Sequence, residues 1–428
     1  MNILFVSQGY PNANGRGYER RAAQHLATLS TLGKVTLVIP GQAADAAASV
    51  GHDLSQLTVS RIIVRREPTL AEVTQARHDR ATTRPARFLH AIRRRYNTDQ
   101  FARRQDKRRY RSLLKDKFDL VFAFRIGAAV WIDSVLGKRK PQRAIVDFDD
   151  IESLALARNT AAHRKSLFWR WKLHTYISQL ARTEDRLASS WPVTLVCSRH
   201  DVQLLNRRGH KAIAVPNAVQ FNAVPTEVDT ARLQLLFVGT LSYRPNADGI
   251  IWFVQNVWPS LHRRLQGRVD LKIVGFDPPN DVVELGSHPD VEVLGPVDDL
   301  APVYAACNVV IVPIFSGSGT RIKILEAFAF SRPIVTTPIG CEGLDLIHDY
   351  HAMIAQTDDA FVDVITELAH SPGKRRAIAL AGREYGVENF SHTVVSNRVK
   401  AIILQFMDVD RRGKKDSVSG VIGAQKGV

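Results

Sequence analysis

The chain has 428 residues, of which 45% are hydrophobic, and it carries a formal net charge of +16. This length exceeds one ordinary hydrophobic core and predicts two domains of about 200 residues each. No stretch approaches the roughly 20 uncharged apolar residues that span a bilayer, and no secretory signal pattern is present, so we expect a cytoplasmic protein. The three cysteines lie far apart without a C-x-x-C spacing, which indicates neither a disulfide framework nor a thiolate zinc site.

Short apolar segments alternate with amphipathic ones along the first half of the chain. The first strand is expected at residues 3–7 and the first helix at residues 18–32. Further strands are predicted at residues 35–39, 57–64, 120–124, 144–147, 194–197 and 212–215. This alternation is typical of βαβ units and a parallel sheet.

A short glycine-containing loop, with Gly15 and Gly17 on either side of Arg16, separates the first strand from the first helix. Glycines there permit a phosphate or an acceptor to approach the backbone closely. The alternative is a plain connection between strand and helix.

Residues 84–117 form the most basic part of the chain, with thirteen Lys or Arg against three acidic residues. Apolar residues recur there at helical spacing, which predicts a basic amphipathic helix or helix pair. This segment either binds an anionic membrane surface or simply faces solvent, and the sequence favours the two interpretations equally. No nucleic-acid partner is expected, because the chain lacks a recognisable RNA-binding motif or DNA-reading helix.

Acidic residues follow the predicted strand at 144–147, where the sequence reads AIVDFDDIES. Asp147, Asp149, Asp150 and Glu152 either face a ligand at the carboxyl edge of a sheet or complete a helix N-terminus. The two interpretations stay open, and Asp150 is the candidate general base. Arg125, just past another strand end, is a further candidate for contact with a phosphate or an acceptor.

A linker is expected at residues 214–233, where proline, asparagine and charge interrupt the pattern. The alternation then resumes, and its apolar strands indicate a second doubly wound parallel sheet. A last helix is predicted at residues 394–407, followed by a disordered tail.

The sequence SGSGTRIKILEA follows directly on one of these strands, NVVIVP. Gly317 and Gly319 allow a ligand to approach the backbone, and Ser318 or Thr320 can cap the helix that follows. The free N–H groups of its first turn form a site for an anion such as a pyrophosphate.

Arg321 and Lys323 lie in the predicted first turn of this helix, against the positive end of the helix dipole. A bound diphosphate would make that placement favourable. Glu326, one turn further on, could accept hydrogen bonds from ribose hydroxyls. The alternative is an exposed ion pair between Lys323 and Glu326.

These motifs resemble the retaining, GT-B-fold glycosyltransferases of family 4. The resemblance extends over NGRGYERRAAQHLATLSTLGKVTLV, CSRHD, VPNAV, LLFVGTLSYRPNADGIIWF, DDLAPVYAACNVVIVP and SGSGTRIKILEAFAFSRPIVTTPIGCEGLD. It implies an α/β protein of GT-B architecture, with two Rossmann-like doubly wound parallel-sheet domains facing a shared cleft. The implied divisions are an acceptor-binding domain, a nucleotide-sugar-binding domain, a helix crossing back to the first domain and a tail, at residues 1–222, 223–392, 393–410 and 411–428.

The resemblance assigns the donor site to Gly317, Ser318, Gly319, Thr320, Arg321, Lys323 and Glu326, with Gly15, Gly17 and Arg244 as further binding residues. Glu326 matches the second of two glutamates that many members carry, whereas Ser318 stands at the position of the first. Many members also hold the diphosphate with Arg and Lys after the first strand of the second domain, where Arg244 is the nearby cation here. The expected catalytic residues are Arg321 and Lys323, together with Asp150 from its place at the strand end.

The expected reaction is transfer of a sugar from a nucleoside diphosphate sugar to a hydroxyl of a glycan or lipid-linked acceptor, with retention, in cell-surface polysaccharide synthesis. The nucleoside diphosphate sugar is a substrate, and no tightly bound cofactor or metal is expected, because Arg321 and Lys323 supply the positive charge that a metal would provide. The protein is expected in the cytoplasm or at the inner face of the plasma membrane. The alternatives are a sugar-nucleotide epimerase of the same fold and a non-catalytic binding protein.

Overall fold

The computed structural model describes residues 1–13, 15–40, 59–65, 104–137, 141–161, 167–221, 231–317 and 321–411. The predictions for residues 66–103, for Ser318, Gly319 and Thr320, and for the tail from residue 412 lie outside these residues.

The first of two parallel sheets has seven strands in the order β3-β2-β1-β4-β5-β6-β7. These strands are β1 (Asn2–Ser7), β2 (Lys34–Pro40), β3 (Val59–Arg65), β4 (Leu120–Phe124), β5 (Ala144–Asp147), β6 (Val193–Val196) and β7 (Ile213–Ala214). The helices between these strands in the chain are α1 (Gly17–Ser30), α2 (Arg104–Leu113), α3 (Ile126–Leu136), α4 (Glu152–Ala161), α5 (Leu167–Ser190) and α6 (Arg199–Arg207), and α4 from Ala155 onward belongs to the second compact unit.

The second sheet has six parallel strands in the order β10-β9-β8-β11-β12-β13. They are β8 (Leu233–Val238), β9 (Val269–Val274), β10 (Val291–Gly295), β11 (Val309–Val312), β12 (Ile334–Thr336) and β13 (Met353–Ile354). Its helices are α7 (Arg244–Trp252), continued through a π-helical turn into α8 (Trp258–Arg264), then α9 (Asn280–Val283), α10 (Ala301–Ala306), α11 (Ile322–Ala329), α12 (Asp358–His370), α13 (Pro372–Phe390) and α14 (His392–Arg411).

The central strands are continuous apolar runs because helices cover both faces of each sheet. Every residue of β4 and every residue of β11 is buried. In both sheets the strand order reverses direction at one point, between β1 and β4 and between β8 and β11. Ligands of such sheets bind at the carboxyl ends of the strands near that reversal. The predicted α/β class with two doubly wound parallel sheets is confirmed.

The described residues form two compact units. The first comprises residues 1–154 and 163–215 together with the chain from residue 396, and the second comprises residues 155–162 and 216–395. One of the points where the chain passes from the first unit to the second, between Val215 and Pro216, lies near the start of the predicted linker. Most of α14 packs with the first unit, where Ser396 Oγ lies 2.8 Å from Thr28 Oγ1. No helix in the described part of the chain is both long and apolar enough to span a bilayer.

Backbone segments at the ends of β8 and β9 approach each other so closely that Gly275 has no room for a side chain. A Cβ at Gly275 would lie 1.6 Å from the carbonyl oxygen of Gly239. We therefore expect Gly275→Ala to lower the free energy of unfolding by about 3 kcal/mol, as overpacking does. Urea denaturation measures this change.

The matched control is Gly373→Ala near the start of α13, where an added Cβ meets no atom within 4 Å. This variant should keep the wild-type stability or gain up to about 1 kcal/mol from helix propensity. Equal loss in the two variants would contradict the packing argument.

Candidate functional site

One cluster of polar side chains lies in the second unit, where β8 and β11 end and α11 begins. The helix starts at Ile322 and Arg321 is its N-cap residue, so Lys323 alone of the two cations lies in the first turn. Arg321, Lys323 and Glu326 are all buried, each with about a tenth of its surface exposed. The predicted alternative of an exposed Lys323–Glu326 ion pair is therefore wrong.

Lys323 is a buried cation whose described hydrogen-bond partner is neutral. Its Nζ donates to Asn246 Oδ1 at 2.8 Å and lies 4.5 Å from the centre of the Phe237 ring. Burial and the neighbouring Arg321 lower the pKa of Lys323 to about 7, against the opposing effect of Glu326. The amine is therefore only partly charged at neutral pH, and an anion beside it would favour the charged form.

Asn246 positions Lys323, and sequence reasoning missed it. Its Nδ2 donates to the carbonyl of Thr240 at 2.8 Å, which fixes Oδ1 toward the lysine. Gly239 leaves the required room, since a Cβ there would lie 2.8 Å from Asn246 Nδ2 and 2.9 Å from Lys323 Nζ. The available signal was an asparagine directly after the proline that opens a helix, in YRPNADG.

Glu326 is held by a second residue that the sequence did not reveal. The hydroxyl of Tyr304 donates to Glu326 Oε2 at 3.2 Å. Tyr304 is fully buried and stacks on Phe330, with ring centres 4.7 Å apart. Glu326 thus has a fixed orientation at the end of its first helical turn.

Gly317 ends the described part of the loop before α11 and has a φ of +102°, which favours glycine. A Cβ there would lie 2.9 Å from the Tyr243 hydroxyl and 3.4 Å from Arg321 Nη1. Arg321 Nη2 donates to the carbonyl of Ser316 at 3.4 Å. The predicted site residues Gly317, Arg321, Lys323 and Glu326 therefore lie at one helix start.

Arg244, at the first position of α7, is exposed and has carboxylate partners of its own. Its guanidinium forms ion pairs with Asp248 at 2.7 Å and with Asp281 at 2.8 Å. Its described contacts are with these residues rather than with Lys323 or Glu326. Its donor-binding role stays a prediction.

The loop before α1 is shaped by Glu19. The Glu19 carboxylate accepts the N–H of Arg16 at 2.7 Å and the hydroxyl of Tyr18 at 3.0 Å. A Cβ at Gly15 would lie 2.3 Å from this carboxylate, which explains the glycine. Gly17 is the first residue of the helix. Because Glu19 brings negative charge to this helix start, an anionic ligand would meet repulsion there, and the binding roles of Gly15 and Gly17 stay predictions.

A second polar cluster lies in the first unit, at the carboxyl end of β5. Arg21 and His25, one turn apart on α1, both contact Asp147: Arg21 Nη2 lies 2.8 Å and His25 Nε2 2.5 Å from Asp147 Oδ2. Burial opposes ionisation of Asp147, but Arg21 and His25 outweigh it and lower its pKa to about 2. Burial also lowers the pKa of His25. The protein itself therefore supplies the partners of the Asp147 carboxylate, which indicates a structural role.

Asp149 has a different environment from Asp147. Its φ is +63° and its side chain is buried. Burial and the neighbouring Asp150 raise the pKa of Asp149 to about 7, although Arg21 and Arg125 act in the opposite direction. The Asp149 carboxyl therefore exchanges a proton near neutral pH.

Asp150 and Glu152 complete this group. Asp150 is partly exposed, and its Oδ1 lies 3.5 Å from Cys197 Sγ. Glu152 lies in the first turn of α4, as the helix-terminus interpretation predicts, and its Oε1 accepts a hydrogen bond from Arg125 Nη2 at 3.1 Å. Burial raises the pKa of Glu152, in spite of Arg125. The general-base role of Asp150 stays a prediction.

Protonation of Asp149 makes the stability of the protein depend on pH in a defined direction. The unfolded carboxyl ionises near pH 3.9, whereas the folded one ionises near 7. Between these values the folded state binds the extra proton, so stability falls as pH rises from about 4 to 7. Asp149→Asn, which also suits the left-handed backbone, should therefore raise the free energy of unfolding at pH 8 by about 2 kcal/mol and change it little at pH 4.

Urea denaturation at the two pH values measures this difference. The control is Asp116→Asn, which removes a surface carboxylate. It should have the same small effect on the free energy of unfolding at pH 4 and at pH 8. A stabilisation by Asp149→Asn that is equal at pH 4 and pH 8 would contradict the assignment.

Comparison with known proteins agrees with this architecture. Residues 232–371 match the family model described as "Glycosyl transferases group 1". A protein of Klebsiella pneumoniae, described as an uncharacterised 44.6 kDa protein in the cps region, is 23% identical over 181 residues. This match covers 40% of the present chain and 46% of the relative, so the chain aligns with about half the length of that protein.

Two solved structures share the fold over nearly the whole chain. Sucrose-phosphate synthase from Thermosynechococcus elongatus superposes with a TM-score of 0.66 at 13% identity, covering 96% of this chain and 100% of that one. Anabaena HepE in complex with UDP superposes with a TM-score of 0.63 at 13% identity, covering 95% and 100%. The shared fold is the GT-B fold, and within it residues 232–371 are similar to the group 1 glycosyltransferases.

Proposed function

We propose that the protein is a retaining glycosyltransferase that moves a sugar from a nucleoside diphosphate sugar to a hydroxyl of a glycan or lipid-linked acceptor. The observation that carries this proposal is the pair of buried cations, Arg321 and Lys323, at the start of α11. Two cations at the positive end of a helix dipole repel one another and the helix field. An anionic ligand with two adjacent phosphates removes that repulsion.

The chemistry of the site suits a departing diphosphate. Negative charge develops on the leaving phosphate oxygens as the glycosidic bond breaks, and cations fixed in a buried site stabilise it without reorganisation. Lys323 is fixed by Asn246, and the N–H groups of the first turn of α11 add further donors. The proposal therefore needs no tightly bound cofactor or metal to neutralise the diphosphate.

Glu326 is proposed to bind the ribose of the donor. Tyr304 occupies Oε2 and fixes the orientation of the carboxylate. A carboxylate has acceptor sites for more than one hydrogen bond, so it can also accept from ribose hydroxyls. Anabaena HepE, which shares the fold, has been solved with UDP and with UDP-glucose, and this supports a nucleoside diphosphate sugar as the donor class.

In the proposed reaction the leaving phosphate accepts the proton of the attacking hydroxyl on the same face of the sugar, and the anomeric configuration is retained. The product anomer, read from the coupling constant of the anomeric proton by NMR, tests this part. The role in surface polysaccharide synthesis is supported by the Klebsiella pneumoniae relative, which is described as belonging to a cps region.

An anionic membrane surface is the proposed docking partner for the basic segment. In its described part, Tyr110 of α2 packs edge-on against Trp131 of α3, with ring centres 5.2 Å apart. Arg108, Arg109 and Lys115 are exposed. The apolar side of α2 is thus used for packing within the first unit, so contact with lipid there would be electrostatic.

The donor site is tested by thermal unfolding of the protein with UDP, GDP, ADP, dTDP or CMP. One diphosphate should stabilise the wild type by about 2.7 kcal/mol at 100 times its Kd. Arg321→Ala should lose most of this stabilisation, because the diphosphate loses a buried cation. The control Arg264→Ala removes an exposed arginine of α8 that pairs with Asp363, and it should respond like the wild type.

The affinity for the same nucleotide should fall as pH rises above 7, since Lys323 then loses the charge that attracts the diphosphate. Lys323→Met should bind more weakly and without this pH dependence. Absence of stabilisation by all five nucleotides would refute the donor site.

Membrane binding is tested by sedimentation with phosphatidylglycerol vesicles. Replacement of Arg108, Arg109 and Lys115 by Ser should reduce the bound fraction at low salt, because each cation near an anionic surface contributes about 1 kcal/mol. Replacement of Arg264, Arg263 and Lys272 in the second unit is the charge-matched control. Equal binding by the two triple variants would exclude residues 108–115 as the docking surface.

A further inference from the structure

Two buried carboxylates of the first unit, those of Asp149 and Glu152, lie near Arg125. Asp149 Oδ1 lies 3.7 Å from Arg21 Nε and Asp149 Oδ2 lies 3.9 Å from Arg125 Nε, and both distances exceed hydrogen-bond length. Glu152 Oε2 is buried and has no hydrogen-bond partner among the described residues. Asp149 is 7% exposed and Glu152 is 8% exposed.

A buried acceptor without a donor costs about 1–3 kcal/mol, so Glu152 Oε2 calls for an explanation. Arg125 joins the two carboxylates, because its guanidinium lies 3.1 Å from Glu152 Oε1 and 3.9 Å from Asp149 Oδ2. The two carboxylates therefore share one guanidinium and belong to one site.

The backbone presents this site at the ligand-binding edge of the sheet. Arg125 follows β4 and Asp149 follows β5, and both adopt a positive φ, 71° and 63°. Hydrogen bonds hold them there: the N–H of Arg125 donates to the carbonyl of Asp147 at 2.7 Å, and the N–H of Asp149 donates to Asp147 Oδ1 at 2.8 Å. The structure thus maintains two unfavourable backbone conformations that place these side chains at the end of the strands.

The charge of the site selects the class of ligand. Arg21 is neutralised by its ion pair with Asp147. Asp149 and Glu152 then share Arg125 as a cationic neighbour, and Asp150 adds further negative charge beside them, so a phosphate or carboxylate would meet repulsion. Hydroxyl groups supply donors without charge, and carboxylate oxygens accept from them.

We propose that Asp149 and Glu152, held by Arg125, bind the hydroxyl groups of an uncharged sugar residue of the acceptor. This inference rests on the proposed function and extends it, because it identifies the end of the acceptor bound in the first unit as a neutral sugar rather than a sugar phosphate.

Saturation-transfer NMR tests the inference on the full chain in the presence of UDP. The probes are methyl α-glucoside, methyl α-galactoside, methyl α-mannoside and N-acetylglucosamine, with glucose 6-phosphate as the charged competitor. At least one neutral sugar should receive saturation from the protein, and glucose 6-phosphate should not. Asp149→Ala and Glu152→Ala should reduce the signal at least fivefold, whereas Asp116→Ala, which removes a surface carboxylate of the same unit, should leave it unchanged.

The conservative variant Glu152→Gln guards against a folding defect. It keeps the shape of the side chain but places an amide beside Arg125, and it should also weaken sugar binding. Near-ultraviolet circular dichroism of Trp131 and Trp191, both buried in the first unit, reports whether each variant is folded.

Two readouts separate this inference from the proposed function, because stabilisation by UDP depends on the second unit. Stabilisation by UDP without binding of any neutral sugar, or with sugar binding that survives in folded Asp149→Ala and Glu152→Ala, overturns the inference and leaves the donor site standing. Sugar binding that the variants lose, in a protein that UDP does not stabilise, supports the inference and refutes the donor site. Preferential binding of glucose 6-phosphate also overturns it.

Discussion

Both sheets are covered on their two faces, so polar side chains can reach a ligand where the strands end. Every residue of β4 and of β11 is buried, and the polar clusters begin within a few residues of those strands. Gly275 and the carbonyl of Gly239 also follow strand ends, and the backbone segments there pack so closely that a side chain on Gly275 would clash. The parallel sheets therefore determine where a ligand can bind, and the residues that follow each strand determine which ligand or reaction the site suits.

The two units bury charge in contrasting ways. Asp147 is enclosed with Arg21 and His25, and every partner it needs comes from the protein. Lys323 is enclosed with a neutral amide and an aromatic ring. A buried ion pair of the first kind fixes structure, whereas a buried cation of the second kind is stable only while it is partly deprotonated or while an anion is bound. On the proposed function, this difference separates a structural cluster from a ligand site more clearly than composition does.

Much of the fold was predictable because it depends on local patterns: apolar runs of strand length alternate with amphipathic helices in both halves. Arg321, Lys323 and Glu326 were also predictable, since they follow a glycine loop within a few residues. Asn246 and Tyr304 were not, because they lie 77 and 22 residues from the side chains that they hold. Gly15 shows that one residue can have a second explanation, since a glycine that suggested a ligand also makes room for the nearby carboxylate of Glu19. Contacts between distant residues leave no periodic signal in a single sequence.

The partner of Lys323 has a consequence for turnover. An amide cannot stabilise an ammonium ion as a carboxylate would, so the empty site exists partly in the uncharged form at neutral pH. On the proposed function, binding of a diphosphate causes Lys323 to take up a proton, and release of the diphosphate causes Lys323 to lose it. Nucleotide release would then be coupled to proton release. The buffer would accept this proton in each catalytic cycle, although it does not contact the sugar.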